Sequence, residues 1–192
     1  VVSIGNPFGS LIRDPEPSVS VGVISANHRH LSPRIGRGER LYQDMIWQTI
    51  GESVDRQYEA LEAARQEADR APRGSLRLDP DLPVPRYIGA FDHHRMAGSY
   101  HAESRPNDLR PGAMYDRYTT TYHLWRNGGW KNDGRGHTIA SHVVSAYPEL
   151  AVHRLLDIGC SVGHSTVALQ EDFPGAEVHA IDVAAPVLRY AQ

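Results

Sequence analysis

The sequence predicts an α/β chain: a strand–helix–strand–helix unit at the C-terminal end, a helical and loop-rich extension before it, and a short antiparallel β segment ahead of both. Three observations carry this. Residues 155–158 and 177–181 are apolar runs of strand length, separated by a stretch of helical pattern. A glycine-punctuated turn, Gly159-Cys160-Ser161-Val162-Gly163, stands between the first run and that stretch. Far upstream, Ser18-Val19-Ser20-Val21-Gly22-Val23-Ile24-Ser25 alternates with period two, as a half-buried strand does.

In order along the chain, residues 1–46 alternate strands with turns. Val1-Val2-Ser3-Ile4 runs into the loop Gly5-Asn6-Pro7-Phe8-Gly9. The alternating strand follows, then a polar stretch over residues 27–40, then a strand-like Tyr42-Gln43-Asp44-Met45-Ile46. Residues 47–114 form the extension. Thr49-Ile50-Gly51-Glu52 has the spacing of a capping box opening a helix. Val54, Tyr58, Leu61 and Ala68 share one helical face, and Ala71-Pro72-Arg73-Gly74 ends it. Residues 75–111 are rich in proline and polar residues, which predicts loops and extended segments.

Residues 115–192 carry the α/β unit. A helix is expected over residues 115–126, with Tyr118, Tyr122 and Trp125 on one side. Four glycines and two asparagines among residues 127–136 predict a loop. Residues 137–147 place Ile139, Val143 and Tyr147 on a helical face stopped by Pro148. The strand–helix–strand–helix unit follows from Val152.

The composition bounds the function. At 192 residues there is room for one substantial domain or two small ones. A net charge of −3 gives nucleic acid or an anionic membrane no electrostatic reason to bind, so neither is expected as partner. No apolar run nears the roughly 18 residues of a bilayer span. Nothing resembles a secretory signal. Cys160 is the one cysteine, which excludes an internal disulfide and fits a reducing compartment, so a cytoplasmic location is expected. Both ends read as elements cut short, and the chain is expected to be a fragment of undetermined oligomeric state.

The chemistry concentrates in the turn. Glycine at 159 lets main-chain N–H groups approach a ligand closely. The helix start after Gly163 offers unpaired donors and partial positive charge, which suit a carboxylate. Asp182 ends the second strand about 20 residues beyond the turn, where an acid accepts hydrogen bonds from ribose hydroxyls. These features point to an adenosine-containing cofactor, S-adenosyl-L-methionine above others. Dinucleotide binding would need glycine at 159, 161 and 164, where this chain has Gly159, Ser161 and His164. Cofactor contacts are expected from Asp157, Gly159, Cys160, Ser161, Gly163, Asp182 and Val183.

Residues 115–192 resemble the start of a class I S-adenosylmethionine-dependent methyltransferase. Leu155-Leu156-Asp157-Ile158-Gly159 through Gly163 looks like its first motif, with Ser161 in place of a glycine, and Asp182 looks like its ribose-binding acid. The resemblance implies a truncated Rossmann-like domain, with two strands of a seven-stranded sheet, and methyl transfer to a small-molecule acceptor. Residues 47–114 resemble the N-terminal extension of some of these enzymes. Catalytic residues stay unassigned; Trp125, Trp130 and His137 are candidates for a lid or substrate contact.

Ile4-Gly5-Asn6-Pro7-Phe8-Gly9, the strand from Ser18 and Tyr42-Gln43-Asp44-Met45-Ile46 resemble the trypsin-like domain of HtrA-family serine proteases. That family's Gly-Asn-Ser-Gly-Gly block is replaced here by Trp47-Gln48-Thr49-Ile50-Gly51-Glu52-Ser53. Ser53 lacks an oxyanion loop, and no triad can be assigned. The two resemblances meet near Ile46/Trp47, which implies a fused or mis-joined reading frame. A remnant of a trypsin-like endopeptidase and a non-catalytic βαβ module stay open as alternative readings.

Other clusters are weaker. Asp92, His93 and His94, with His101 further on, lack the i,i+4 histidine spacing or cysteine partner of a metal site, so no metal is expected. Cys160 has no assignable base for a nucleophilic role. Arg34, Arg37 and Arg40 read as a solvated basic loop.

Overall fold

The structure is a computed structural model that describes residues 33–72, 74–90, 96 and 99–192. The strands expected over residues 1–25, and most of the HtrA-like segment, lie outside the described residues, as do Asp92, His93 and His94.

Helix α1 runs from Pro33 to Arg56 and α2 from Tyr58 to Ala68. The strand expected at residues 42–46 is therefore helix, and so is the backbone of Arg34, Arg37 and Arg40, which were expected in a loop. The reason is a longer periodicity. Trp47, Gly51, Val54 and Tyr58 are all buried, at spacings of four, three and four, so one face of the rod meets the core. A five-residue window holds too little of that stripe to tell strand from helix. Helix α1 passes through 46/47 without a break. The capping box expected at Thr49 is not one either, because Thr49 is mid-helix and its hydroxyl donates to the Met45 carbonyl at 2.9 Å.

One helical turn, α3 (Arg86–Gly89), interrupts the extended segment that follows. Helix α4 spans Arg110–Tyr122, five residues earlier than expected at its start, with Pro111 in its first turn. Its end is a Schellman motif: Trp125 N–H donates to the Thr120 carbonyl and Leu124 N–H to that of Thr121. Leu124 and Trp125 both take positive φ there, so Trp125 leaves the helical face it was expected to share.

Helix α4 packs on α1 through Trp47, which stacks on Tyr118 with ring centres 4.1 Å apart. Val54, Tyr58, Met96, Ala113 and Met114 complete this core. Arg110 clamps Asp55 through two hydrogen bonds of 2.7 and 3.0 Å. Tyr58 donates to Asp108 at 3.0 Å and accepts the Leu109 N–H at 3.1 Å, fixing the approach to α4.

Helix α5 is Gly134–Ala146, so the expected loop ends three residues early. Gly136 is helical because α6 (His164–Asp172) crosses close to it: a Cβ there would lie 2.5 Å from that of Ala168. Gly136 and Ala140 are buried, while Tyr147, expected on the packed face, is exposed. Strands β1 (Arg154–Ile158) and β2 (Glu177–Ile181) pair in parallel, Arg154 with Glu177 through Ile158 with Ile181. Helix α6 is their crossover, and α7 (Ala185–Ala191) follows β2 and packs on α4. Leu156, Ile158 and Ile181 stay 39–59% exposed on the sheet face away from α6. Among the described residues no helix is long and apolar enough to cross a membrane.

Candidate functional site

The turn after β1 is built from three residues with positive φ, Gly159 (76°), Ser161 (50°) and Gly163 (82°). The N–H groups of Gly159 and Cys160 both reach the Ile181 carbonyl, at 2.8 and 3.1 Å, extending the β1–β2 ladder into the turn. Gly163 precedes α6 in a left-handed conformation and accepts its first helical bond, from Val167. His164, Ser165 and Thr166 precede that bond, so their N–H groups have no intrahelical acceptor. The serine at 161 adopts the same left-handed conformation a glycine would, at a strain cost of about 1–2 kcal/mol.

Asp157 accepts the Thr166 hydroxyl at 2.6 Å, which locks the end of β1 to α6. Asp182, at the tip of β2, turns toward the turn. Its Oδ2 accepts the Ser161 N–H and its Oδ1 the Ala184 N–H, both at 2.9 Å. Each oxygen keeps a second lone pair for another donor. Val183 beside it is exposed.

A cavity of about 100 Å³ opens against the turn. Asp157, Gly159, Cys160 and Ser161 line it from the turn side, His164 and Ser165 from α6, and Tyr115, Asn132 and Arg135 from the facing helices and loop. A Cβ at Gly159 would meet nothing within 4 Å, so that side of the turn is open space. Cys160 is buried, and burial with the charges of Asp182 and Asp157 pushes its thiol up to about 12. It is a neutral wall residue at physiological pH, not a nucleophile.

Behind the wall lies a polar cluster. His164 Nε2 is 2.7 Å from Asp116 Oδ1 and its Nδ1 is 3.2 Å from Asn132 Nδ2. Those partners assign the tautomer: Nε2–H donates to the carboxylate and Nδ1 accepts from the amide. Tyr190 donates to Asp116 at 2.6 Å, and Arg117 also pairs with it. Burial raises the Asp116 carboxyl, but hydrogen bonds from His164, Tyr190 and Arg117 outweigh it and hold the group below the usual carboxylate range.

The structure thus gathers Asp157, Gly159, Cys160, Ser161 and Gly163 at one turn and brings Asp182 to it from the next strand. The lid candidates do not join them. Trp125 and Trp130 pack edge to face, 5.7 Å apart, both exposed, and His137 faces the end of α6. None of the three lines the cavity. Sequence reasoning missed Tyr115, Asn132, Arg135, His164 and Ser165. His164 was visible directly after Gly163 but read only as a departure from the dinucleotide-binding pattern.

A larger cavity, about 830 Å³, opens on the other side of α4, between α1 and residues 96–111. Asp44, Glu52, Asp55, Glu103 and Asp108 give it an acidic lining. No residue of the turn reaches it, so its size does not make it the chemical site. Comparison of the chain with protein-family models, with curated proteins and with solved structures finds no match to any of them.

Proposed function

We propose that residues 115–192 carry the cofactor half-site of an S-adenosylmethionine-dependent methyltransferase acting on a small-molecule acceptor. The observation that carries this reading is the joint between two parallel strands: a left-handed turn opening a helix, with an acid at the neighbouring tip hydrogen-bonded to that turn. The donor set suits the cofactor. The unpaired N–H groups at the start of α6 and the Arg135 guanidinium fit an amino-acid carboxylate. Asp182 retains lone pairs for ribose hydroxyls. The cavity is below the roughly 300–1,000 Å³ of a complete small-molecule pocket, so it would take the amino-acid end alone, with Asp182 and Val183, outside its lining, left for the ribose and adenine. Bound there, the cofactor would supply an activated methyl group on sulfonium. The chain's own contribution would be alignment and the exclusion of water by Tyr115 and Asn132.

Calorimetry with S-adenosylmethionine and its demethylated product tests the reading. Binding that weakens at least tenfold in both Asp182→Ala and Arg135→Ala is expected. Absence of binding to the unmodified chain, or affinity unchanged from the parent in both variants, would reject it.

A further inference from the structure

The start of α5 and the end of α6 bring three ligand-type side chains together. Asp133, His137 and Glu171 each offer one donor atom, and these atoms lie within 4.8 Å of one another. His137 Nε2 is 3.6 Å from Asp133 Oδ2 and 3.7 Å from Glu171 Oε2. Those separations are too long for hydrogen bonds. They suit donors sharing one ion, because atoms each about 2.1 Å from a metal at a tetrahedral angle stand about 3.4 Å apart.

Two independent observations point to a ligand there. His137 Nδ1 lies 2.8 Å from Asp172 Oδ2, so Nδ1–H donates to that carboxylate and Nε2 is left facing the other two. This is the outer-shell arrangement that orients metal-binding histidines. Asp133, moreover, has a side chain only 9% exposed, and its carboxylate accepts no hydrogen bond among the described residues. The charged groups beside it are His137 Nε2 at 3.6 Å and the Lys131 ammonium at 4.0 Å. Buried carboxylates are rarely left so. Charge agrees: three carboxylates crowd around one imidazole and the single ammonium of Lys131, a set of anions that a divalent cation balances.

We propose that Asp133, His137 and Glu171 bind a divalent transition-metal ion of the zinc or manganese kind, with Asp172 as positioning residue. One imidazole among carboxylates favours these ions over magnesium or calcium, which prefer all-oxygen shells. Lys131, 67% exposed and 3.3 Å from Glu171, swings aside as the ion enters. The ion then clips residues 131–133 to the end of α6. This inference is independent of the methyl-transfer reading.

Titration calorimetry of the full chain with zinc, manganese and magnesium chlorides tests it, paired with thermal denaturation. One zinc per chain is expected, with a raised melting temperature. Because the chain has 11 histidines, variants must locate the ion. Glu171→Gln and His137→Ala are expected to weaken the tightest site at least tenfold, and Asp172→Asn by about 10–100-fold. Lys131→Ala is expected to tighten it, and X-ray absorption of bound zinc to report one imidazole. Unchanged affinity in folded Glu171→Gln and His137→Ala, magnesium binding as tightly as zinc, or no binding up to about 1 mM ion would each overturn the proposal.

Discussion

Asp182 Oδ2 accepts the N–H of Ser161 across 2.9 Å, joining the tip of β2 to a left-handed residue in the turn after β1. Its second oxygen holds the Ala184 N–H at the entry to α7. Asp182→Ala strips both donors of their acceptor, and a loss of about 1–3 kcal/mol is expected. Asp182→Asn keeps one carbonyl oxygen and should lose less. Urea denaturation of the two variants checks this; equal losses would mean that the hydrogen bond the asparagine retains contributes nothing.

Two glycines predict two different kinds of damage. Gly159→Ala adds a methyl to open space, so its cost is backbone strain alone, about 1–2 kcal/mol. Gly136→Ala drives a methyl to 2.5 Å from Ala168 Cβ and 2.7 Å from the Ser165 carbonyl, and α5 must move off α6 for about 1–3 kcal/mol. Ala168→Gly should restore part of the stability lost in the second variant and none in the first. Thermal melts of the double mutants separate the cases.

The Asp116 cluster should shape the acid limb of stability. Its carboxyl is held below its unfolded value of about 3.9, so the folded state gains stability that is complete above that pH. The gain disappears as pH falls through the depressed folded value. Asp116→Asn should therefore show a shallower decline below about pH 4 than the parent chain, in denaturation midpoints measured across pH 2–6. Parallel curves would show that the carboxylate's charge is not what the cluster stabilises.

Tryptophans offer a third contrast. Trp47 is 2% exposed and stacked on Tyr118, so Trp47→Ala should cost about 3–5 kcal/mol. Trp130 is 67% exposed, and its removal should change stability by less than about 0.5 kcal/mol. Acrylamide quenching would report the same division, with Trp130 the more accessible ring.

The C-terminal unit was legible because its signals are local. The run from Leu155 to Gly163, the helix after it and the second strand each announce themselves within a few residues, and the structure gives β1, α6, β2 and α7 in that order. Four other features were decided by distant partners. Residues 42–46 are too few to separate strand from helix, and it is the buried stripe of Trp47 and Val54 against α4 that extends them into one helix. Gly134 and Gly136 read as loop because glycine is a poor helix former, yet the approach of Ala168 to Gly136 and of Asn127 to Gly134 leaves no room for a side chain at either. The cavity wall was illegible for the same reason: Tyr115, Asn132 and Arg135 meet the turn only after α4 and α5 have packed. His137 could be picked out by type, but its partners Glu171 and Asp172 come from another helix.

Leu156, Ile158 and Ile181 hold three branched side chains in contact with solvent on one side of a two-stranded ribbon. Water covering such a patch gains freedom when any apolar surface displaces it. Dye-binding fluorescence should therefore be high for a folded chain, and scattering should climb steeply with salting-out agents such as ammonium sulfate. Dilution becomes a reagent in its own right: each affinity or melting point measured on this molecule will carry the protein concentration at which it was taken.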